Sequence, residues 1–494
     1  MKDNNLANSK QSSLKGNIIL NTFYELLVVI APFVTTPYVS RILTSSGVGI
    51  YSYTKSIVTY FTILAALGTI TYGKNIIAKH RDEKRQYSKI FWEIELLSII
   101  TSTICLSIWA VVVFFYSEYQ IYLLILSLNI VSVIFDISWL YSGLEKYKYS
   151  ISINSIFRII GIICIFLFVN DANDVEIYVF IQCSTTLFGN ISMWIFLPKV
   201  VSRVKIEVKS IIFHFKNTLI YFVPTIATTI YMVMDKTMIG LIVNDTSVSG
   251  CYEQATKIIR IIEIATFSGF NGVTGSRASY LVAKNEQNKF NVLFSKNFHI
   301  MSFLTIGAFF GLICVANTFI PLFLGDGYES TIYLIYILAP LIFIMSISNI
   351  LDRLYYIPNS KRRQSNKYLI IGSIINFVLN LCLIPVLSSY GAALSSVISE
   401  VIIAFLYVKF SNNTLNFKNL FIILWKKFFA GLVMFVICLG INIVLKNHLE
   451  SYWILSLQII SGFVAYVFVL FLLRDESINI VLNTIKNKIK NKKV

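Results

Sequence analysis

Charge is scarce in this chain: 14% of its 494 residues are Asp, Glu, Lys or Arg, against 56% apolar. A water-soluble protein of this length cannot bury so much apolar surface, so a soluble globular fold is excluded. Histidine is scarcer still. The four, His80, His214, His299 and His448, fall in loops or at the ends of apolar runs, which argues against a buried His-based catalytic centre. The seven cysteines are single and scattered, with no CxxC or paired spacing. They give neither a disulfide framework nor a zinc site and read as small apolar residues. No loop is long enough to form a soluble catalytic domain, and no intramembrane His/Asp constellation marks a membrane enzyme. The first apolar run, 17–39, is span-length and lacks the small-residue pattern of a cleaved leader. Nothing calls for a metal or an organic cofactor.

What is present is a series of about fourteen apolar stretches, each near the ~20 residues a bilayer crossing needs. They fall at roughly 17–39, 49–73, 90–115, 119–143, 151–169, 176–197, 217–242, 250–282, 298–324, 330–351, 367–387, 390–409, 428–446 and 452–473. Of the 42 Lys and Arg, about 34 sit in the N-terminal tail (Lys2, Lys10, Lys15) and in alternate connections, from Lys74–Lys89 to the tail from Arg474. The intervening connections, such as Asn170–Asp174 and Gly325–Gly327, are short and neutral or acidic. Loops rich in Lys and Arg face the cytoplasm, which places both termini inside. The net charge of +17 is thereby assigned to membrane lipid headgroups and orientation, with no nucleic-acid partner. The sequence describes an all-α polytopic protein of a bacterial cytoplasmic (inner) membrane.

Ionisable residues inside spans cost about 2.5–3.5 kcal/mol each on insertion scales, so they tend to face a cavity or a partner. The eighth span sets Glu253, Lys257 and Arg260 at i, i+4 and i+7, with Asn271 further along the same face. The seventh aligns Asn217, Tyr221, Thr225, Thr228 and Asp235, with Lys236 turned roughly 100° away. The first aligns Asn21 and Glu25 with Pro32 and Thr36, and the second aligns Lys55 with Thr59 and Thr62. Arg158 and Glu400 add charge at intermediate depth, and Asp136 lies nearer a span end. Each residue also has a structural reading: Glu253 and Lys257 suit mutual neutralisation, and Asp235 suits a folding pair. Glu93, Glu95, Arg277, Asp352 and Arg353 lie near inside ends and are expected to reach headgroups. Taken together, cations on polar faces suit an anionic passenger such as a phosphate-bearing lipid head. Prolines 32, 37, 224, 321, 340 and 385 fall within or beside spans, where they serve equally as joints or as packing kinks.

A weak internal repeat links Gly49-Ile50-Tyr51 with Gly250-Cys251-Tyr252, and Asn21-Thr22 with Asn217-Thr218. Parallel six-span repeats would form two lobes with a site between them.

Several segments resemble a known family. They are Asn17 to Arg41 with Gly47-Val48-Gly49-Ile50-Tyr51-Ser52-Tyr53, Met234-Asp235-Lys236-Thr237-Met238-Ile239-Gly240, Leu322-Phe323-Leu324-Gly325-Asp326-Gly327-Tyr328, and Asn376 to Pro385 with Tyr390-Gly391-Ala392-Ala393-Leu394 and Glu400. In order and spacing they are similar to the polysaccharide-repeat-unit (Wzx-type) flippases of the multidrug/oligosaccharidyl-lipid/polysaccharide exporter superfamily. Cys251-Tyr252-Glu253-Gln254-Ala255 and Gly275-Ser276-Arg277 depart from the family pattern. The resemblance implies a MATE-like V of two six-helix bundles plus two C-terminal helices. On this chain that gives a tail at 1–16, lobes at 17–205 and 206–410, two added helices within 411–473 and a basic tail at 474–494. It also implies alternating-access export of an undecaprenyl-pyrophosphate-linked oligosaccharide for capsule or O-antigen-type polymers, with no catalytic residues. Lys55, Lys257, Arg260 and Arg158 are then expected to meet the pyrophosphate or sugar head. Glu25, Asp235, Lys236, Glu253 and Glu400 are expected to couple to H⁺ or Na⁺ or to balance charge. Asn21, Thr59, Asn217, Tyr221, Thr225, Thr228 and Asn271 are expected to line the polar chamber. A polysaccharide polymerase is the expected neighbour in the pathway. A drug/cation antiporter and a lipid II flippase share the fold and stand as alternatives, with a membrane-embedded polysaccharide-modifying enzyme further off.

Overall fold

In a bilayer every backbone N–H and C=O must be satisfied within the protein, which leaves helices as the economical solution for a chain this apolar. The computed structural model describes residues 2–267, 273–411, 414–415 and 417–482, apart from the side chains of 2–26, 28, 29, 208, 224, 227, 228 and 273. Every regular element among the described residues is helical. The chain falls into two compact units, Met1–Gly240 and Leu241–Val494.

The first unit holds α1 (Lys2–Ala66), α2 (Thr69–Lys79), α3 (Lys84–Phe115), α4 (Gln120–Ile134), α5 (Ser138–Gly143), α6 (Tyr147–Phe168), α7 (Val175–Met193), α8 (Leu197–Val200) and most of α9 (Val208–Ile242). Two helical stretches run together in α1, joined at Thr44, whose φ of 59° and ψ of 176° break the helical path. At Gly68 the backbone turns left-handed (φ 75°) to start α2, and a Cβ there would lie 2.8 Å and 2.9 Å from backbone atoms of Phe222 and Thr218 on α9. Glycine is required on both counts. One core gathers Val39, Leu43, Trp109, Leu126 and Ile130 between α1, α3 and α4. A second, aromatic core stacks Phe91 on Trp139 with ring centroids 5.5 Å apart. The acidic connection before α7 is self-capped: Asp174 accepts hydrogen bonds from the amides of Asn170 and Asp171, both at 2.8 Å.

The second unit contains α10 (Thr246–Phe267), α11 (Val273–Ala283), α12 (Gln287–Leu324), α13 (Glu329–Leu338), α14 (Pro340–Leu351), α15 (Arg362–Leu387), α16 (Ser389–Lys409), α17 (Phe417–Leu445) and α18 (Ser451–Leu472). Its core joins Phe294, Phe298, Met301, Tyr356, Tyr368 and Tyr407. The Tyr356 hydroxyl donates to the Tyr407 carbonyl at 2.9 Å. Outward faces of α17 and α18 remain apolar, with Ile443 78% and Phe463 63% exposed. Contiguous apolar surface of that kind belongs against lipid.

Eleven stretches among the described residues are long and apolar enough to cross a membrane. The sequence divides the chain into about fourteen spans; the eleven are counted among the described residues alone and include neither 217–242 nor 250–282. Ile30–Lys79 forms one stretch of 50 residues that contains both the Thr44 and the Gly68 turns. The stretch 250–282, expected as one span, is described as α10 ending at Phe267 and α11 beginning at Val273. Four ionisable residues, Glu253, Lys257, Arg260 and Glu263, stand in α10.

Two expectations are overturned. Glu93 and Glu95, expected to reach headgroups, are 3% and 1% exposed. They sit near the start of α3, where α2, α5 and α9 pack around them, so position near a helix end did not bring them to water. His214 and His299, expected at span ends or in loops, lie inside α9 and α12 and are 4% and 6% exposed.

Candidate substrate cavity

Lys55 opens into a polar cavity of about 260 Å³ within the first unit. Helical spacing puts Tyr51, Lys55, Thr59 and Thr62 on one side of α1. Opposite them stand Asn129, Ser132 and Val133 from α4, and Gln182 and Thr186 from α7. The Lys55 ammonium lies 5.0 Å from the centroid of the Tyr51 ring. Tyr51 itself is held edge-on against Tyr178, ring centroids 5.0 Å apart. Thr59 donates its hydroxyl to the Lys55 carbonyl at 2.7 Å, and Thr62 donates to the Thr59 carbonyl at 2.9 Å. Asn190 donates to the Ser132 carbonyl at 2.9 Å and fixes α7 against α4 below the cavity. None of the described lining residues is acidic, and no described carboxylate forms an ion pair with Lys55. A cation among neutral hydroxyls and amides can bind an anion and hydrogen-bond a polyhydroxylated group beside it.

Other expected site residues are distributed more widely. Arg158 is half-buried on α6, where α6 and α7 approach closely at Gly161 and Gly189, and it is not among the residues lining the cavity. Asp235 is buried and Lys236 half-buried on α9. Beside them Thr237 donates to Ser56 at 2.9 Å and meets the Tyr60 hydroxyl at 3.0 Å, which docks α9 on α1. Asn217 and Thr225 donate to the carbonyls of Phe213 and Tyr221 on their own helix, at 2.9 Å and 2.8 Å. Tyr221 packs on Tyr72 with centroids 5.9 Å apart. Asn21, Glu25 and Thr228 have side chains outside the described set, and Asn271 lies outside the described residues.

In the second unit Glu253 and Lys257 are half-buried on α10 and Arg260 is exposed. Arg260 pairs with Glu263 at 3.5 Å, and the Glu263 side chain is only 6% exposed. Glu400 is buried on α16, which packs along α15. Along that seam Asn380 donates to Asn376 at 3.4 Å, and Asn376 to Ser396 at 3.5 Å.

Asn129, Gln182, Thr186 and Glu263 were not among the expected site residues. The three neutral residues carry a readable signal, since an amide or hydroxyl in an apolar helix also seeks a polar neighbour. Glu263 stands at i+3 from Arg260, a spacing that suggests an ion pair.

The family model described as "Polysaccharide biosynthesis protein" matches residues 14–274, more than half of the chain. The chain belongs to the polysaccharide biosynthesis protein family. The resemblance to the Wzx-type flippases thus holds, and this family member is a multi-pass helical membrane protein. It is 24% identical over 414 residues to "Putative O-antigen transporter" of Escherichia coli (strain K12), covering 82% of this chain and 98% of that protein. A second relative, "Probable low-salt glycan biosynthesis flippase Agl15" of Haloferax volcanii, is 24% identical over 196 residues, covering 40% of this chain and 41% of that protein. Among solved structures, "Lipid II flippase MurJ, inward closed conformation" matches with a TM-score of 0.70 at 18% identity, covering 93% of this chain and 99% of that one. A multidrug resistance MATE family transporter of the MOP superfamily, in an inward-facing conformation, matches with a TM-score of 0.53 at 11% identity, covering 78% and 97%. At these identities the structural likeness is one of fold, and it agrees with the all-helical, MATE-like fold class expected from the sequence.

Proposed function

We propose that this protein is a flippase for undecaprenyl-pyrophosphate-linked oligosaccharide repeat units. It carries them from the cytoplasmic to the outer leaflet of a bacterial inner membrane by alternating access, for capsule or O-antigen-type assembly. The observation that carries this reading is the Lys55 cavity, a cation surrounded by Thr59, Thr62, Asn129, Gln182 and Thr186 with no acidic lining residue. A cationic drug would gain nothing from such a lining, whereas a phosphate oxygen or a sugar hydroxyl would. The relatives' names, O-antigen transporter and glycan flippase, support the same class of passenger.

Lys55 is assigned to the phosphate or sugar head. Lys257, Arg260 and Arg158 are assigned the same chemistry toward an anion. Asp235, Lys236, Glu253 and Glu400 balance charge or bind the coupling ion, H⁺ or Na⁺, with Glu25 in the same role. No chemical transformation of the passenger is part of this function, and a polysaccharide polymerase consumes the exported unit.

The test is reconstitution into vesicles with a fluorescent polyprenyl-pyrophosphoryl oligosaccharide, following its appearance on the opposite leaflet. Transport by the wild-type chain and its loss in Lys55→Ala at equal protein level support the reading. Tight competitive binding of a cationic dye in place of lipid transport would point to a drug antiporter. The fold match to a lipid II flippase favours one second reading, and complementation of a strain lacking that flippase decides it. Failure there, with restored capsule or O-antigen, supports repeat-unit export.

A further inference from the structure

His214 on α9 is sealed between two partners from two other helices. Its Nε2 lies 3.0 Å from Glu93 Oε2 on α3, and its Nδ1 lies 2.7 Å from the Tyr72 hydroxyl on α2. Both the imidazole and the carboxylate are buried, at 5% and 3% side-chain exposure. Glu93 Oε1 makes no hydrogen bond among the described residues. Lys89 Nζ stands 3.9 Å from that oxygen and spends its short contact, 2.7 Å, on Glu207 in the connection leading into α9. Tyr221, also on α9, packs against Tyr72. Among the described residues, Lys89, Glu207, Tyr72 and Tyr221 are therefore the charged and titratable groups that face the pair from α2, α3, α9 and the connection before α9.

The charges do not balance. With a neutral imidazole, the buried Glu93 carboxylate has Lys89 only at 3.9 Å, because that ammonium makes its 2.7 Å contact with the solvent-exposed Glu207, and the Glu93 charge is left uncompensated in a buried site. A proton on His214 cancels it. We propose that His214 and Glu93 form a proton-binding site whose occupancy sets how firmly α9 is held to α2 and α3.

In the proton-poor form the Tyr72 O–H donates to Nδ1, and Nε2–H donates to the Glu93 carboxylate. The incoming proton adds to Nδ1, the Tyr72 oxygen turns from donor to acceptor, and the Nε2–H···Glu93 bond becomes an imidazolium–carboxylate contact. The acceptor is ionised in both forms, and proton uptake adds an ionised donor and an attraction between opposite charges shielded from water. Proton uptake therefore tightens the start of α9 against α3, and release loosens it. The device is independent of which lipid-linked sugar is carried, and it differs from the coupling residues assigned above.

Two measurements on the full chain in lipid nanodiscs test the site, neither of which uses substrate. With only four histidines in the chain, ¹⁵N-histidine labelling yields a small set of imidazole signals, and that of His214 is identified by its loss in His214→Gln. The expected result is conversion of this signal between neutral and doubly protonated forms as pH is varied. The second measurement is hydrogen exchange over residues 208–222, where protection is expected to rise as the proton binds, by about threefold or more. That pH dependence should vanish in Glu93→Gln, and in His214→Gln if the Glu93 variant does not fold. A His214 signal fixed in one form throughout, or a pH dependence of exchange that persists unchanged in the folded variant, overturns the proposal. A purely structural pair would lower protection at every pH alike, and that outcome also overturns it.

Discussion

Two lysines placed in apolar helices, one in each unit, are treated in opposite ways. Lys427 on α17 has a fully buried side chain, and its ammonium is 3.0 Å from Asp475, itself 3% exposed. A second bond runs to the Ile423 carbonyl, also at 3.0 Å. Around this pair the segment after α18 is pinned: Ser477 donates to the His299 carbonyl at 2.9 Å, Glu476 pairs with His299 at 3.0 Å, and Lys426 donates to the Leu473 carbonyl at 2.9 Å. Lys55 on α1 has none of this and projects into a cavity lined by neutral groups and one aromatic face. A cation sealed onto its own carboxylate holds helices together. A cation left facing open polar space is available to a ligand. The contrast shows that a lysine in an apolar run has no function legible from its presence alone; the partner decides.

The comparison breaks most severely at the sealed pair. Lys427→Ala leaves the Asp475 carboxylate buried and alone, and the expected loss of stability is about 3–5 kcal/mol, read from thermal unfolding of the purified protein. Replacing both partners by apolar residues of similar volume should recover most of that loss. If Lys427→Ala proves neutral, the structural assignment fails.

The open lysine should behave in reverse. Lys55→Ala is expected to change stability by no more than about 0.5 kcal/mol. Flux of the lipid-linked sugar in vesicles should drop about 10- to 100-fold, the value of a charge-assisted hydrogen bond of about 1.5–3 kcal/mol. Unaltered flux removes Lys55 from the mechanism.

Arg260 falls between the two, since it is exposed yet pairs with Glu263 at 3.5 Å. An exposed partner of this kind is worth about 0–1 kcal/mol. Arg260→Gln at equal protein level is expected to reduce flux less than about tenfold, and a larger effect in the same vesicle assay would rank it with Lys55.

The smallest effect is that of mild acid on the sealed pair. Burial pushes the Asp475 carboxyl up, but the Lys427 ammonium and the hydroxyl and amide of Ser477 bring it below the ordinary carboxylate range. A carboxyl lowered on folding contributes stability that is fully present above its unfolded value, about 3.9, and is lost as pH falls through the lower folded value. Unfolding temperature should therefore hold steady down to about pH 4 as far as this group is concerned and fall below it. In Lys427→Met/Asp475→Leu that part of the acid sensitivity should be absent.

Much of the architecture was legible in the residues. Long apolar runs with short connections fixed the helical membrane class, because lipid leaves the backbone no other partner than itself. The face shared by Lys55, Thr59 and Thr62 also followed from helical spacing. The other wall of the cavity did not. Asn129 and Gln182 are 53 residues apart in the chain and meet Lys55 only because α4 and α7 pack on α1. The burial and pairing of Glu93 and His214 were not legible for a related reason. Both lie near basic connections, a position that usually means access to headgroups, and their burial appears only when α2, α3 and α9 close over them.

Composition and period thus determined by themselves that this chain is a bundle of membrane helices, since burial of apolar side chains and satisfaction of backbone polar groups are local requirements that each segment meets on its own. Which polar residues face an open cavity, which are locked in ion pairs and which enclose a proton site was decided by tertiary packing. Those outcomes depend on pairs of residues far apart in sequence, and only the meeting of helix faces sets their distances and their shielding from water.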